Sequence, residues 1–599
     1  MGFASAAPLG EAVGVSSCWS KIARKETIVT NAKMPNAKTA SFWNFDEAML
    51  ERLVEEPEGA ANGQLLPMQK YYKHGVSACE IDYMRAMLSM PLRGLQGKTQ
   101  VFPMDREHFV RSRLTHTLEV AVNAAEIFDE MLAKADDPDP DCGQTVLTEK
   151  QIQTLRYALM TACLLHDAGN PPFGHFGEEA IRDWFNQRDA ASGEAFGDLD
   201  LCYFEGNANS LRMALRGTGL YDGRRLNPTL LTLCAMVKYP WDAREAVARK
   251  PKKVKYNYFA SDSKRVEELQ RASKKAVGLS DRERSKLSLV MEAADDVSYA
   301  TGDFEDAFRK GMFTVDEAVS FMAKRWLSWS DEGRFSKKCR QNTLTLIYLL
   351  SFLAGDEEDY EWMNNFISGV QEDDNLIAKS GRIGPHYADY LLANGGGYPR
   401  GSDTVHTFRK ALADGPNGKL DAAQRRQMQE TYVGRWVDVV RAWLRYSVAC
   451  SLSRPDVDGE KEADLFGDHY ATIMLLKDVL EHFVYTSPEN AKLNARAETV
   501  LKGLLDKFVP AAEECIQENE AKSGKSPINP EGISSTAASL IALIPMRYRL
   551  DYESALNASE PRWDADRQRY ELDMMVLDFV SSLPDDYAVQ LYNDLYEAK

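Results

Sequence analysis

Four side chains in this sequence have the types and settings of metal ligands: His116, the adjacent pair His166-Asp167, and Asp295. An apolar run from Leu155 to Leu165 reads as the end of a buried helix. It stops at His166-Asp167, and Gly169 and Pro171-Pro172 then break it. A packed helix thus carries an imidazole and a carboxylate, side by side, to the mouth of a loop. No thiolate belongs to the set, and structural zinc more often recruits Cys. Two imidazoles with two carboxylates suit Mn²⁺ or Mg²⁺ first, with Fe²⁺, Zn²⁺ or Co²⁺ also compatible. Such an ion polarises a phosphoryl oxygen and orients a water. His175 lies nine residues after His166 and is a candidate general acid or base. Glu178, three residues further on, is placed to hold its imidazole in one tautomer.

Helices must position these groups. Arg111 to Phe128 reads as one, with Leu114, Leu118, Ala121, Ala125 and Phe128 on a single face. His116 is near its start, and Arg113 lies one turn before His116. Residues 282–310 read as a second helix, in which Asp295, Tyr299 and Asp303 recur every four residues and share a face. Carboxylates among small apolar residues are rarely core packing unless paired or metal-bound. An apolar helix over 227–240 ends in Lys238, and the basic run Arg249 to Lys255 reads as a loop. Residues 77–97 look helical with an interruption at Pro91. A short helix is expected over 41–55, and 1–40 read as an irregular arm. Asn62-Gly63 marks a loop. The acidic stretch 136–143 lacks the spacing of a calcium loop and reads as solvated linker.

From about 315 onward the pattern is mostly helical, with breaks near 355–360, 380–385, 394–403, 414–418 and 454–460, and it ends in a packed helical pair. The expected organisation is an arm with a short helix (1–76), a catalytic core (77–330), a helical insertion with an oligomeric or regulatory role (331–530) and C-terminal helices packing on the core (531–599). The fold class is all-α.

The 599 residues carry 72 Lys and Arg against 90 Asp and Glu, a net charge of −18. That balance argues against sequence-independent duplex binding, which depends on neutralising phosphates. It leaves room for a nucleotide in a locally basic pocket. No apolar run approaches the roughly 20 residues that span a membrane, and no secretory signal opens the chain. Nine scattered cysteines without a CxxC favour reduced thiols and a cytoplasmic protein.

The motifs resemble the HD-domain superfamily, and within it the deoxyguanosine triphosphate and related deoxynucleoside triphosphate triphosphohydrolases. The resemblance runs through Leu95–Pro103, Arg111–Val120, His166–Glu178, Phe204–Asn207, Val237–Pro240 and Glu292–Tyr299, and less tightly through Ser581–Tyr592. It implies an HD-type helical bundle whose metal is held by His116, His166, Asp167 and Asp295. It also implies water attack at the α-phosphorus, releasing a deoxynucleoside and intact triphosphate, with dGTP the default substrate. His175 and Glu178 become the acid/base unit, and Arg113 and Lys238 hold phosphates. Tyr299 and Asp303 line the sugar, Gln100 faces sugar or base, and Lys255 reaches a phosphate. A homo-oligomer is implied, and single-stranded DNA or a nucleotide remains open as an effector. Two departures bear on the pocket: Pro91-Leu-Arg-Gly-Leu-Gln replaces the usual paired arginines, and Gly302 stands where a His is frequent. Two other readings are a phosphodiesterase of the same superfamily acting on a signalling nucleotide, and a nucleotide-sensing or single-stranded nucleic-acid-binding regulator.

Overall fold

The computed structural model describes residues 38–39, 46–53, 76–102, 107–134, 146–189, 197–216, 226–277, 279, 282–331, 333–351, 422–454, 457, 461–523, 536–557 and 565–596. The arm outside 38–39, the Asn62-Gly63 loop, the acidic linker 136–143 and the breaks between 355 and 418 lie outside these residues. The described elements are helices apart from one antiparallel pair of two-residue strands, Lys38–Thr39 with Val146–Leu147. Of the helix expected over 41–55, the described part is a four-residue 3-10 turn, Glu47–Leu50, capped by Asp46 accepting from Ala48 N at 2.8 Å.

Apolar periodicity and local caps set the helices that carry the site. Thr148 and Gln151 form a capping box that starts Glu149–Leu165. Ser285 caps Lys286–Arg309. Ser89 ends Ala78–Leu88 and caps Met90–Gly94, whose first turn takes Pro91. Arg113–Lys134 packs against both Glu149–Leu165 and Lys286–Arg309, and Ala422–Leu452 closes over the same group. The inward face of Arg113–Lys134 runs through His116, Val120, Ala124, Ile127 and Met131. Leu118 is 38% exposed and Val122 54%. The expected face holds at Ala121, Ala125 and Phe128 but is corrected at Leu118. The reason is that a buried polar residue, His116, occupies the inward position of the first turn.

Among the described residues, two apolar cores result. The larger joins residues between Met49 and Leu350 to Tyr432–Val484. The second joins Phe173–Phe259 to residues between Ala497 and Leu591. In the second, Pro488–Ser523 lies between His175–Asp189 and Ala565–Ser582. The His175 helix therefore rests on elements far away in sequence. Among the described residues, no helix is long and apolar enough to cross a membrane.

Candidate metal and acid–base site

His166 is the C-cap of Glu149–Leu165, and its Nδ1 lies 2.6 Å from the carbonyl of Cys163. A carbonyl only accepts, so Nδ1 carries the proton and Nε2 keeps its lone pair. That Nε2 is buried and has no hydrogen-bond partner. It faces Asp295 Oδ1 at 3.4 Å and Asp167 Oδ1 at 3.5 Å. His116, 1% exposed, brings its Nε2 to 3.1 Å from the same Asp295 oxygen. One donor atom each from His116, His166 and Asp167 lie within 4.8 Å of one another, a group that could hold a metal ion. Asp295 touches both imidazoles. The orphaned His166 Nε2 is the sort of atom a cation satisfies, and the tautomer fixed by a backbone carbonyl is the usual preparation for it.

The carboxylates are already countered by protein cations. Lys238 Nζ donates to Asp295 Oδ2 at 2.7 Å. Arg113 Nη1 donates to Asp167 Oδ2 at 2.6 Å, and Asn170 Nδ2 to Asp167 Oδ1 at 2.6 Å. Burial by itself would raise the Asp167 carboxyl, but His166 and Arg113 pull it below the usual carboxylate range. The same opposition at Asp295, with Lys238 then His166 as the stronger side, holds it well below that range. Burial lowers His166, and Asp167 with Asp295 overcome this and raise it. Both acids stay ionised, the state a ligand needs.

The chain leaves this cluster through Phe173 and Gly174, both left-handed at φ 64° and 59°. A Cβ on Gly174 would sit 2.5 Å from Arg113 Nη2 and force that guanidinium to shift, and the left-handed backbone there favours glycine. His175 then opens the helix His175–Asp189. Its Nδ1 pairs with Glu178 Oε2 at 3.0 Å, and its ring is 76% exposed while Glu178 is 3%. Glu178 also accepts from Gly206 N at 2.8 Å and from Arg182 at 3.3 Å. Burial opposes its charge, but the His175 hydrogen bond and Lys255 win and hold it below the usual range. Imidazole Nε2 is thereby left facing outward, on a carboxylate-braced ring.

The remaining expected residues separate into groups. Lys255 Nζ lies 2.8 Å from Glu205 Oε1, within a cluster that includes Arg182 and Glu178. Tyr299 stacks on Tyr485, centroids 6.3 Å apart, and Asp303 accepts from the Tyr485 hydroxyl at 3.4 Å. Burial pushes Asp303 well above the carboxylate range. Gln100 has a buried Oε1 with no hydrogen-bond partner. Against Gly302 lies Arg111, which bonds the Gly302 carbonyl at 3.2 Å and pairs with Glu119, Glu305 and Asp306.

Sequence reasoning gave no role to Asn170, Lys98, Glu205, Arg182, Tyr485 or Asp585. Asn170 had a signal, since it follows Asp167 by three residues in the same loop. Asp585 had a weak one, since it lies in the Ser581–Tyr592 stretch of the resemblance, but its partner 412 residues away was not legible; Tyr485 had none, 182 residues from its partner.

Residues 113–300 match the HD-domain family model. A deoxyguanosinetriphosphate triphosphohydrolase-like protein of Listeria monocytogenes is 35% identical over 253 residues, 41% of this chain and 53% of its own. Deoxyguanosinetriphosphate triphosphohydrolases of Enterobacter sp. and Salmonella typhimurium are 34% and 33% identical, over 44% of this chain and 58% of theirs. The chain spans little more than half the length of the curated relatives it matches. Through residues 113–300 the chain matches the HD-domain family model, and over less than half its length it is similar to the deoxyguanosinetriphosphate triphosphohydrolases.

Proposed function

We propose that this protein hydrolyses deoxynucleoside triphosphates, dGTP by default, to a deoxynucleoside and inorganic triphosphate. One observation carries the reading: a buried, tautomer-fixed His166 Nε2 aimed at two ionised carboxylates, beside an outward-facing imidazole braced by Glu178. His116, His166, Asp167 and Asp295 would hold a divalent cation, which when bound supplies Lewis-acid stabilisation of phosphoryl charge.

The chain's own groups do the rest. Arg113 and Lys238 flank the cluster, each on one carboxylate, and are placed to turn part of their charge to a polyphosphate. Water attacks the α-phosphorus and the bond to the 5′-oxygen breaks, so one proton must leave the water and one must reach the leaving oxygen. His175 Nε2 moves that proton, and Glu178 stabilises the imidazolium it becomes. The Asp303 carboxyl, pushed up by burial, and the Tyr299–Tyr485 pair form a polar wall beside an aromatic one, suited to a deoxyribose. Lys255 supports the acid–base pair through Glu205 and reaches a phosphate only by leaving it.

An oligomer belongs to the same reading. The exposed Met87, Leu88 and Met90 lie beside the exposed Met546 and Leu550, linked by Arg547 reaching Met90 Sδ at 3.7 Å, an apolar surface suited to a second copy. The test of function is product analysis on the four deoxynucleotides with Mn²⁺. Triphosphate and deoxynucleoside in equal amounts support the reading, and diphosphate or orthophosphate as first product refutes it.

A further inference from the structure

The loop between Asp167 and His175 is held from a turn that lies far away in sequence, at Ser581–Asp585. Asp585 stands at the turn between Ala565–Ser582 and Asp585–Tyr596 and is 2% exposed. Its Oδ1 accepts from Phe173 N at 2.9 Å. Its Oδ2 accepts from Thr99 N at 3.0 Å and from the Thr99 hydroxyl. The same turn is tied down twice more. Lys98 Nζ, buried, donates to the carbonyls of Asn170 at 2.6 Å and Ser581 at 2.8 Å. Asn209 Nδ2 donates to the Gly169 carbonyl at 2.8 Å and the Ser581 hydroxyl at 3.0 Å. Gly97 lies so close to the turn that a Cβ there would be 2.7 Å from Pro584 Cβ.

Phe173 is where these ties matter. It is a non-glycine residue at φ 64°, a conformation that L side chains avoid and that persists only when its surroundings over-determine it. Two residues later the chain delivers His175. If Phe173 relaxed to negative φ, Gly174 and the first turn of the His175 helix would rotate, and the imidazole would leave its place relative to His166 and Asp167.

We propose that Asp585 is a positioning residue: from the C-terminal turn it clamps the backbone of Phe173, with Thr99 as its second anchor, and so sets where His175 presents its outward nitrogen. The assignment rests on the reading of His175 and Glu178 as the proton-moving pair. It makes the end of the chain part of the site's geometry, though it supplies no group to substrate.

The experiment compares the full chain with Asp585→Ala, Thr99→Val and Thr99→Ser. Deuterium exchange is followed at the amides of 170–178, and kcat and KM are measured with dGTP and Mn²⁺. Asp585→Ala should raise exchange in 170–178 at least tenfold and lower kcat at least 30-fold, with KM changed under threefold. Thr99→Val should do the same to a lesser degree, and Thr99→Ser, which keeps the hydroxyl, should restore both. Should Asp585→Ala fail to fold, the Thr99 pair decides. Unchanged exchange in 170–178, or a lower Tm with kcat intact, overturns the proposal. A wild-type protein without triphosphohydrolase turnover would defeat the functional reading instead, and the exchange result would still decide the clamp.

Discussion

Replacing Lys238 with Met keeps most of the side chain's volume and removes the ammonium that faces Asp295 at 2.7 Å. Breaking a buried ion pair by deleting one partner costs about 3–5 kcal/mol, because the other charge is left behind. Here the Asp295 side chain is 25% exposed and also touches two imidazoles, so a loss of about 2 kcal/mol is expected at pH 7. A divalent cation bound at Asp295 changes that figure. It supplies the missing counter-charge, and in the wild type it must share the carboxylate with a neighbouring ammonium. The destabilisation should therefore shrink by about 1 kcal/mol or more in saturating Mn²⁺. Urea unfolding of both proteins at pH 7, with and without about 1 mM Mn²⁺, reads this directly. A destabilisation equal in both conditions would show that the cation does not sit beside Asp295. Turnover gives an independent arm: loss of a charge-assisted phosphate contact should lower kcat/KM about 100-fold.

Three further predictions follow from separate parts of the structure. Asp200 is buried, accepts from Tyr570 and Ala260, and is pushed up to about 7, chiefly by burial. Its neutral form is favoured in the fold, so this stabilisation is full below the ordinary value of 3.8 and is lost as pH rises through about 7. The span amounts to about 4 kcal/mol. Asp200→Asn should flatten stability between pH 4 and 8 and gain relative to wild type at pH 8, measured by urea midpoints; an unchanged slope contradicts the argument. Gly206→Ala puts a methyl 2.0 Å from Asn170 Oδ1 and 2.8 Å from Glu178 Oε1. Both side chains must move, and kcat should fall by about 100-fold or more; wild-type kcat would refute the packing. His175→Gln should lower kcat by about 10²–10⁴ with little change in Mn²⁺ affinity, since its ring lies outside the ligand group. Weakened Mn²⁺ binding, measured by calorimetry, would move His175 into the ligand set.

What could be read from the chain alone was whatever spacing and helix breaks encode. The end of an apolar helix at His166-Asp167 was visible, as was the four-residue recurrence of Asp295, Tyr299 and Asp303. Local chemistry also sufficed for the His175–Glu178 pairing, three apart on one helix. The face of Arg113–Lys134 was only partly legible. Periodicity counts Leu118 as core, whereas the buried position belongs to His116, whose partners lie on another helix. The resemblance placed Lys255 at a phosphate, and nothing in the basic run that it ends reveals its partner Glu205. The pairing of Arg111 with its partners against Gly302, and of Asp585 with Phe173 and Thr99, was hidden for the same reason, although the motif stretches that meet at Asp585 were each visible. Each joins segments hundreds of residues apart, and only tertiary packing decides which polar groups meet.

The central claim is that water reaches the α-phosphorus at this His/Asp cluster. Hydrolysis of dGTP in ¹⁸O-water, with mass analysis of both products, tests it most directly. The account predicts one labelled oxygen in the triphosphate and none in the deoxynucleoside. Label in the deoxynucleoside, or labelled orthophosphate in place of triphosphate, would contradict it.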